Sequence, residues 1–502
     1  MTRLSADFSD DFSAASDPDR TDAARPAPLL AGTARALLHR LATAQAEGRG
    51  PSMVAAVVRM GAPPRASGPG GGRRVWTASR GELPPDVPEA DAAHVQYRIG
   101  SITKTLTAVA VMRLRDEGLL DLGDPLGAHL DAPHGSDATV AQLLAHSGGL
   151  ASESRGPWWE RTPGELRPEL ADIFGDAPRK HPAGRRHHYS NPGYALLGAL
   201  VEKLRGEPWF DVLREEVLLP LGMDRTTAAP VAPHATGWAV HPYADARQPE
   251  PAVDTGRMAP AGQLWSTVAD LSTFGAFLLA GDDAVLRAES LAEMRAPAVA
   301  PEAGDWDAAY GLGMQLARRD VGGERRLLSG HTGSMPGFLA GLWTSPADGL
   351  AAVAVANATS GPLAGTLAAE LLAEVADREP ALPETWRPMP ASDAEPELLE
   401  LTGTWFWGTF AYLLWLHAGR ELTLGPAAGG VVRGTRFLPA PDGEGWLGQS
   451  GYYAGETLRA VRGPDGRVSH LDLGTFVFTR RPYDPDAPVP GGADPAGWTG
   501  AG

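Results

Sequence analysis

Ser101 and Lys104 stand three residues apart at the head of an apolar, helix-like run, Tyr97-Arg98-Ile99-Gly100-Ser101-Ile102-Thr103-Lys104-Thr105-Leu106-Thr107-Ala108-Val109. Residues i and i+3 share a helix face, so hydroxyl and amine can point into one cleft. A serine hydroxyl is a weak nucleophile until a neighbouring base takes its proton. A lysine serves as that base only where burial or a nearby cation lowers its pKa. The run after Ser101 is apolar almost all round, the pattern of a buried central helix. A lysine held there is costly unless it has a chemical task. The plainer reading is a serine N-cap followed by a solvated lysine.

Two further clusters follow in order. Tyr189-Ser190-Asn191 lies in His188-Tyr189-Ser190-Asn191-Pro192-Gly193-Tyr194, and His331-Thr332-Gly333 lies in Gly330-His331-Thr332-Gly333-Ser334-Met335. Together they hold a phenol, an amide, an imidazole and a glycine. Other chemistries fit less well. Ala145-His146-Ser147-Gly148-Gly149 is close to a G-x-S-x-G elbow. That elbow needs a strand before it and a helix after it, whereas here a helix-like segment precedes and a loop follows. A turn and packing role suits Ser147 better. Adjacent His187 and His188 point apart and have no carboxylate cluster beside them, so no metal site is expected. Gly68-Pro69-Gly70-Gly71-Gly72 lacks the Gly-Lys-Ser/Thr ending of a phosphate loop and reads as a hairpin loop. Trp158 and Trp159 suit either a cleft wall or simple packing. Thr267 and Asp270 fit an N-terminal capping box, which gives Asp270 a structural part. A non-enzymatic binding protein is disfavoured because a serine, a lysine and a tyrosine that could do acyl chemistry are all present.

These clusters need elements to hold them. Residues 31–47 are helical in pattern, 53–60 read as a buried strand and 73–79 as its hairpin partner. Residues 102–230 are mostly helical with Pro and Gly breaks, and a second helical stretch covers 258–295. Strands return at 327–329, 338–343 and 351–356, and a long helix spans 363–376. Strands at both ends of a helical middle imply an antiparallel sheet flanked by helices, with a helical subdomain inserted: an α/β (α+β) fold. Short strands then recur at 401–405, 421–424, 445–448, 457–461 and 476–479. The organisation expected is a disordered tail over 1–28, a catalytic domain over 29–376, a Pro-rich linker over 377–397, a small antiparallel, barrel-like β-domain over 398–484, and a second disordered tail over 485–502.

The three clusters resemble the serine β-lactamase and penicillin-binding-protein superfamily, in its Ser-x-x-Lys, Tyr-x-Asn, His-x-Gly variant. Further landmarks lie in the right order: Thr139-Val140-Ala141-Gln142-Leu143-Leu144-Ala145-His146-Ser147-Gly148-Gly149-Leu150, Pro220-Leu221-Gly222-Met223-Asp224, and Ala261-Gly262-Gln263-Leu264-Trp265-Ser266-Thr267. The resemblance runs over about residues 33–375. It implies that Ser101 attacks a carbonyl, that Lys104 takes the hydroxyl proton, and that Tyr189 relays a proton to the leaving group. Asn191 is implied to fix Lys104 and to touch substrate. His331, with Thr332, lines the substrate site where many relatives carry lysine, with a charge that varies with pH. The backbone N–H groups of Ser101 and Ser334 are implied as the oxyanion hole, with Gly333 allowing close approach. The implied function is a serine hydrolase forming an acyl-enzyme on an ester or amide, with no cofactor and no metal. The alternatives are a DD-carboxypeptidase or β-lactamase, and a penicillin-binding-protein-type thioesterase that releases or cyclises a nonribosomal peptide from a carrier protein. The C-terminal segment resembles the lipocalin-like domains appended to some members.

Composition narrows the partners. The chain has 502 residues, 43% hydrophobic, a net charge of −17 and no cysteine. The charge argues against nucleic acid and against anionic membranes. The lack of cysteine removes disulfides, thiolate metal sites and thiol nucleophiles. The N-terminal stretch is acidic and polar, without an apolar core behind a basic start, and no run reaches roughly 18 apolar residues. A cytoplasmic protein acting on a small-molecule or peptide acyl substrate is expected. Oligomeric state stays open.

Overall fold

The structure, a computed structural model, describes residues 29–482 except 62–71, 133, 163–169, 176, 301–306, 383–385, 387 and 430–433. Most of the Gly-rich segment near residue 70, and both terminal tails, lie outside these residues.

The chain runs α1 (Ala31–Gly48), β1 (Ser52–Met60), β2 (Arg73–Gly81), β3 (Gln96–Arg98), α2 (Ile102–Asp116), α3 (Val140–Leu144), α4 (Leu170–Ile173), α5 (Asn191–Arg205) and α6 (Trp209–Leu213). It continues through β4 (Trp238–Val240), β5 (Arg247–Pro249), α7 (Ala259–Gly262), β6 (Trp265–Thr267), α8 (Val268–Ala280) and α9 (Ala288–Met294). Then come β7 (Ala308–Tyr310), β8 (Gln315–Val321), β9 (Glu324–Met335), β10 (Phe338–Ser345), β11 (Leu350–Ala356) and α10 (Ala364–Arg378).

Seven strands form one antiparallel sheet in the order β2-β1-β11-β10-β9-β8-β7, so the two ends of this unit meet where β1 pairs β11. β1 is apolar on both faces because both are covered. Met53, Ala55 and Val57 pack with Leu37, Leu41, Leu371 and Leu372 of α1 and α10. Val54 and Ala56 face the larger core, which holds Leu106, Val109, Leu197, Phe274 and Leu342. The inserted helices α2 to α9 build that second layer, and α2 is buried from Ile102 through Met112. The expected sheet with an inserted helical subdomain is therefore present. The short pair β3–β6, and the strands β7 and β8, were not expected from the sequence. At α8, Thr267 Oγ1 accepts the Asp270 N–H at 3.0 Å, but the Asp270 carboxylate goes to Arg225 N–H (3.0 Å) and Thr226 Oγ1–H (2.7 Å). Asp270 thus staples a neighbouring turn instead of closing the capping box. Among the described residues no helix is long and apolar enough to cross a membrane.

The chain divides into two compact units, Met1–Ala381 and Leu382–Gly502. Helix α10 reaches Arg378, and Glu379 accepts the Leu30 N–H (2.8 Å) and pairs with Arg59 (2.7 Å), so the first unit takes in the start of the segment read as linker. The second unit has α11 (Pro396–Leu399), β12 (Gly403–Trp407), β13 (Phe410–Leu416), β14 (Leu422–Pro426), β15 (Thr435–Pro439), β16 (Trp446–Gly448), β17 (Thr457–Arg462), β18 (Val468–Leu473) and β19 (Phe476–Thr479). These eight strands close into a barrel in sequence order, with β12 against β19. Trp405, Leu422, Phe437, Leu471 and Phe478 fill its interior. Each unit buries its own apolar core and all three clusters lie in the first. Truncation after Ala381 is therefore expected to leave a folded protein that still takes up one phosphonate on Ser101, read by intact mass. A soluble, folded truncation that does not label would show that the barrel completes the site.

Candidate active site

Gly100, at φ +53°, turns the chain from β3 into α2 and sets Ser101 just before the first helical residue. A Cβ on Gly100 would lie 2.5 Å from Ser334 N, so only glycine lets β9 come this near the turn that carries Ser101. Lys104, one turn on, has no exposed surface. Its Nζ lies 2.9 Å from Ser101 Oγ and donates to the Ala261 carbonyl at 2.6 Å. Burial pulls the amine down to about 7, against the opposing pull of Glu153 and Glu160. A neutral amine beside a serine hydroxyl is a base poised for proton abstraction.

Tyr189 sits on the extended segment before α5. Lys104 Nζ lies 4.9 Å from its ring centre. Burial pushes that phenol well above its ordinary range, with the Ser101 side chain acting the other way, so it stays protonated and can hand a proton on. Ser190 caps α5, accepting the Gly193 N–H at 3.1 Å. Asn191 was expected to hold Lys104. Its amide instead donates to Glu153 Oε1 at 2.9 Å, while Trp159 Nε1–H donates to the other oxygen at 2.7 Å. The Lys104 anchor is the Ala261 carbonyl, because the turn from α7 brings a main-chain acceptor to the buried amine.

The third cluster lies in β9. His331 is buried, its Nδ1 2.6 Å from the Thr332 carbonyl and its Nε2 2.7 Å from Tyr310 Oη. Burial first, then the Lys104 charge, push it down to about 3. This corrects the expectation of a pH-variable charge: the imidazole is neutral throughout the working range. Thr332 gives both its N–H (3.2 Å) and its hydroxyl (3.3 Å) to Gln315 Oε1 on β8. A Cβ on Gly333 would overlap the Ile99 carbonyl and come within 3.2 Å of Ser101 N. Thr332 N–H points off β9 away from β10, and alternation along the strand gives Ser334 the same direction. Ser334 N–H thus emerges on the edge that faces the start of α2, where the Ser101 N–H lies at the positive end of the helix.

The fold therefore brings together Ser101, Lys104, Tyr189, His331, Gly333 and Ser334, with Asn191 and Thr332 held at the edges by Glu153 and Gln315. Ser147 stands apart: it ends α3 with its N–H on the Gln142 carbonyl (2.7 Å) and its hydroxyl near the same oxygen (3.4 Å). His188 Nε2 meets Ser152 Oγ (3.1 Å), and the His187 ring packs edge-on to His146. Among the described residues no group of three or more His, Cys, Asp or Glu could hold a metal ion. Glu153, Glu160, Tyr310 and Gln315 were missed from the sequence, being single polar residues with no local spacing signal. With Lys104 as the base that takes the Ser101 proton, kcat/KM is expected to fall below pH about 7 as one proton binds, with no contribution from His331. Glu153→Gln removes a charge that favours the ammonium, so it is expected to shift this limb to lower pH in a pH–rate profile. A limb unmoved by Glu153→Gln would place that carboxylate too far from Lys104 to act on it.

The β-lactamase family model matches residues 30–377, and a domain of unknown function (DUF7586) matches 394–480. Penicillin-binding protein 4 of Amycolatopsis lactamdurans is 30% identical over 336 residues, 62% of this chain and 84% of that protein. Among solved structures, a D-stereospecific amidohydrolase from Streptomyces sp. superposes with a TM-score of 0.53 at 25% identity, over 69% of this chain and 98% of that one. The crystal structure of SurE superposes with a TM-score of 0.55 at 25% identity, over 90% of this chain and 99% of that one. With the fold, the order of its clusters and these matches in agreement, the chain belongs to the β-lactamase and penicillin-binding-protein family of serine hydrolases.

Proposed function

We propose that the protein cleaves an amide or ester whose acyl part carries a free ammonium group, through an acyl-enzyme on Ser101. The approach of the buried Lys104 Nζ to Ser101 Oγ, 2.9 Å, carries this reading. Ser101 Oγ bonds to the carbonyl carbon as its proton passes to Lys104. The oxyanion is met by the N–H groups of Ser101 and Ser334. Tyr189 delivers a proton to the leaving nitrogen or oxygen as the scissile bond breaks and is reprotonated from Lys104. Water then reverses these steps and frees the acid.

The preference for an ammonium rests on charge. Glu153 and Glu160 both act on Lys104, and the neutral His331 offers a substrate carboxylate only a dipole. The D-stereospecific amidohydrolase among the similar structures supports an amino-acid-like acyl group. Glu153→Gln is expected to lower kcat/KM for a D-amino-acid p-nitroanilide about 10- to 100-fold, the weight of one charge-assisted contact, and to spare its N-acetyl derivative. Equal losses on both substrates would refute the ammonium reading.

A second reading is favoured by the closed eight-stranded barrel of the second unit. We propose that this barrel is of the lipocalin-like kind, its strands running up and down in sequence order. A catalytic unit joined to such a barrel fits a thioesterase that takes a peptidyl group from a carrier protein and passes it to an amine. A cytoplasmic location belongs with this reading, since a loaded carrier is met inside the cell. Single-turnover assays with a peptidyl thioester, scored for cyclic against linear product, separate the two readings.

A further inference from the structure

Two buried histidines from different parts of the chain face one phenol. His146, Tyr310 and His331 are each no more than 3% exposed. Ser190 N–H donates to His146 Nδ1 at 3.0 Å. That nitrogen must therefore carry a lone pair, and the buried, neutral ring holds its proton on Nε2, 3.2 Å from Tyr310 Oη. At the other end, His331 Nδ1 faces the Thr332 carbonyl at 2.6 Å, an oxygen that only accepts. His331 thus carries its proton on Nδ1, and its Nε2 accepts the Tyr310 hydroxyl proton at 2.7 Å. The bonds run one way: Ser190 N–H to His146, His146 to Tyr310, Tyr310 to His331, His331 to the Thr332 carbonyl. The two rings are opposite tautomers.

His146 also grips the main chain on both sides of Tyr189. Its carbonyl accepts the His188 N–H at 2.7 Å, its Nδ1 takes the Ser190 N–H, and its ring lies over the Tyr189 ring with centroids 4.1 Å apart and planes at 31°. To present carbonyl and ring together, His146 adopts φ +56°, a region that L-residues seldom enter and that His tolerates better than most.

We propose that His146 is a positioning residue that sets the second and third clusters as one piece. Its carbonyl and Nδ1 fix the Tyr189 segment. Its Nε2–H, through the Tyr310 hydroxyl, fixes His331 and the β9 edge that carries Ser334 N–H. Proton donor and oxyanion donor are thereby placed relative to each other by a ring that touches no substrate. The inference rests on the reading of Ser101, Lys104 and Tyr189 as the reacting groups.

The test begins with the full-length protein labelled with 15N-histidine. Two-bond proton–nitrogen correlations, assigned by the signals that vanish in His146→Asn and His331→Asn, are expected to show His146 as the Nε2–H form and His331 as the Nδ1–H form. The same tautomer at both rings would overturn the proposal whatever the variants do. Tyr310→Phe keeps the packing and removes only the hydroxyl. It is expected to lower kcat about 10- to 100-fold with KM within about twofold, the scale of a sub-ångström misplacement of reacting groups. His146→Asn keeps an oxygen for Ser190 N–H and tolerates the φ, yet cannot reach Tyr310. It is expected to match Tyr310→Phe, and the double variant to lose no more than either alone. Additive losses, or losses confined to KM, would refute the link. Phosphonate labelling at Ser101 must persist in every variant; its failure in the wild-type protein would sink the underlying reading of the site, while the tautomers would still judge this inference.

Discussion

Ser101→Ala is expected to cut kcat for p-nitrophenyl acetate by roughly 10⁴- to 10⁶-fold, the loss seen when the nucleophile of an acyl-enzyme hydrolase is removed, while Ser147→Ala stays within about threefold of wild type, the range of a peripheral change. The contrast follows from what each hydroxyl can reach. Ser101 Oγ has the Lys104 amine 2.9 Å away, and Ser147 Oγ has only a main-chain carbonyl at 3.4 Å, which takes a proton from nothing. Without a side-chain oxygen at position 101 the proposed covalent intermediate cannot form, and the N–H groups proposed to meet the oxyanion have none to meet. Substrate binding should survive, since Ala removes a single atom from a turn held by Gly100 and by the β9 edge. The measurement is burst kinetics together with intact mass after phosphonofluoridate treatment: one adduct on wild type and on Ser147→Ala, none on Ser101→Ala. Comparable turnover by Ser101→Ala and wild type would remove Ser101 from the chemistry altogether.

Much of this arrangement was legible in the residues themselves, for reasons that differ from element to element. Helix α2 announces itself because a buried helix is apolar all round, and Lys104 is then conspicuous. β1 and β11 read as strands because covering both faces makes their apolar runs continuous. β8, Gln315–Val321, was not legible: Arg318, Arg319 and Asp320 are exposed and break any alternation. β13 failed for the opposite reason, since Phe410 and Trp415 are exposed apolar residues on a strand that reads apolar on both sides. The site divides the same way. Its three clusters have local spacing, but His146 meets Tyr310 across 164 positions, which no local pattern encodes. His331 was misjudged in charge because an imidazole alone titrates near neutrality, and only the fold determines how deeply it is buried.

Lys104→Met is expected to separate stability from activity. Met keeps the length and much of the volume of the lysine stem, so the packing of α2 against α5 and α7 survives. The substitution leaves the Ala261 carbonyl short of a donor, a cost of about 1–3 kcal/mol. It also removes a group that must shed its charge to stay buried, and replacing a buried ionisable group by an apolar one is often neutral or stabilising. The melting temperature is therefore expected to hold within a few degrees, or to rise. Activity is expected to collapse, because Tyr189 is held protonated by burial and cannot stand in as the base. Loss of a general base costs about 10²–10⁴-fold in kcat, and what remains should no longer fall off below pH about 7, since the group that titrates there is gone. Lys104→Arg is expected to be as inactive, because a guanidinium keeps its proton where an amine gives it up. Calorimetry and a pH–rate profile on the same samples decide the matter. If Lys104→Met kept the acid limb near pH 7, the base would have to be sought elsewhere in the cleft, and the 2.9 Å approach of Nζ to Ser101 Oγ would be packing rather than chemistry.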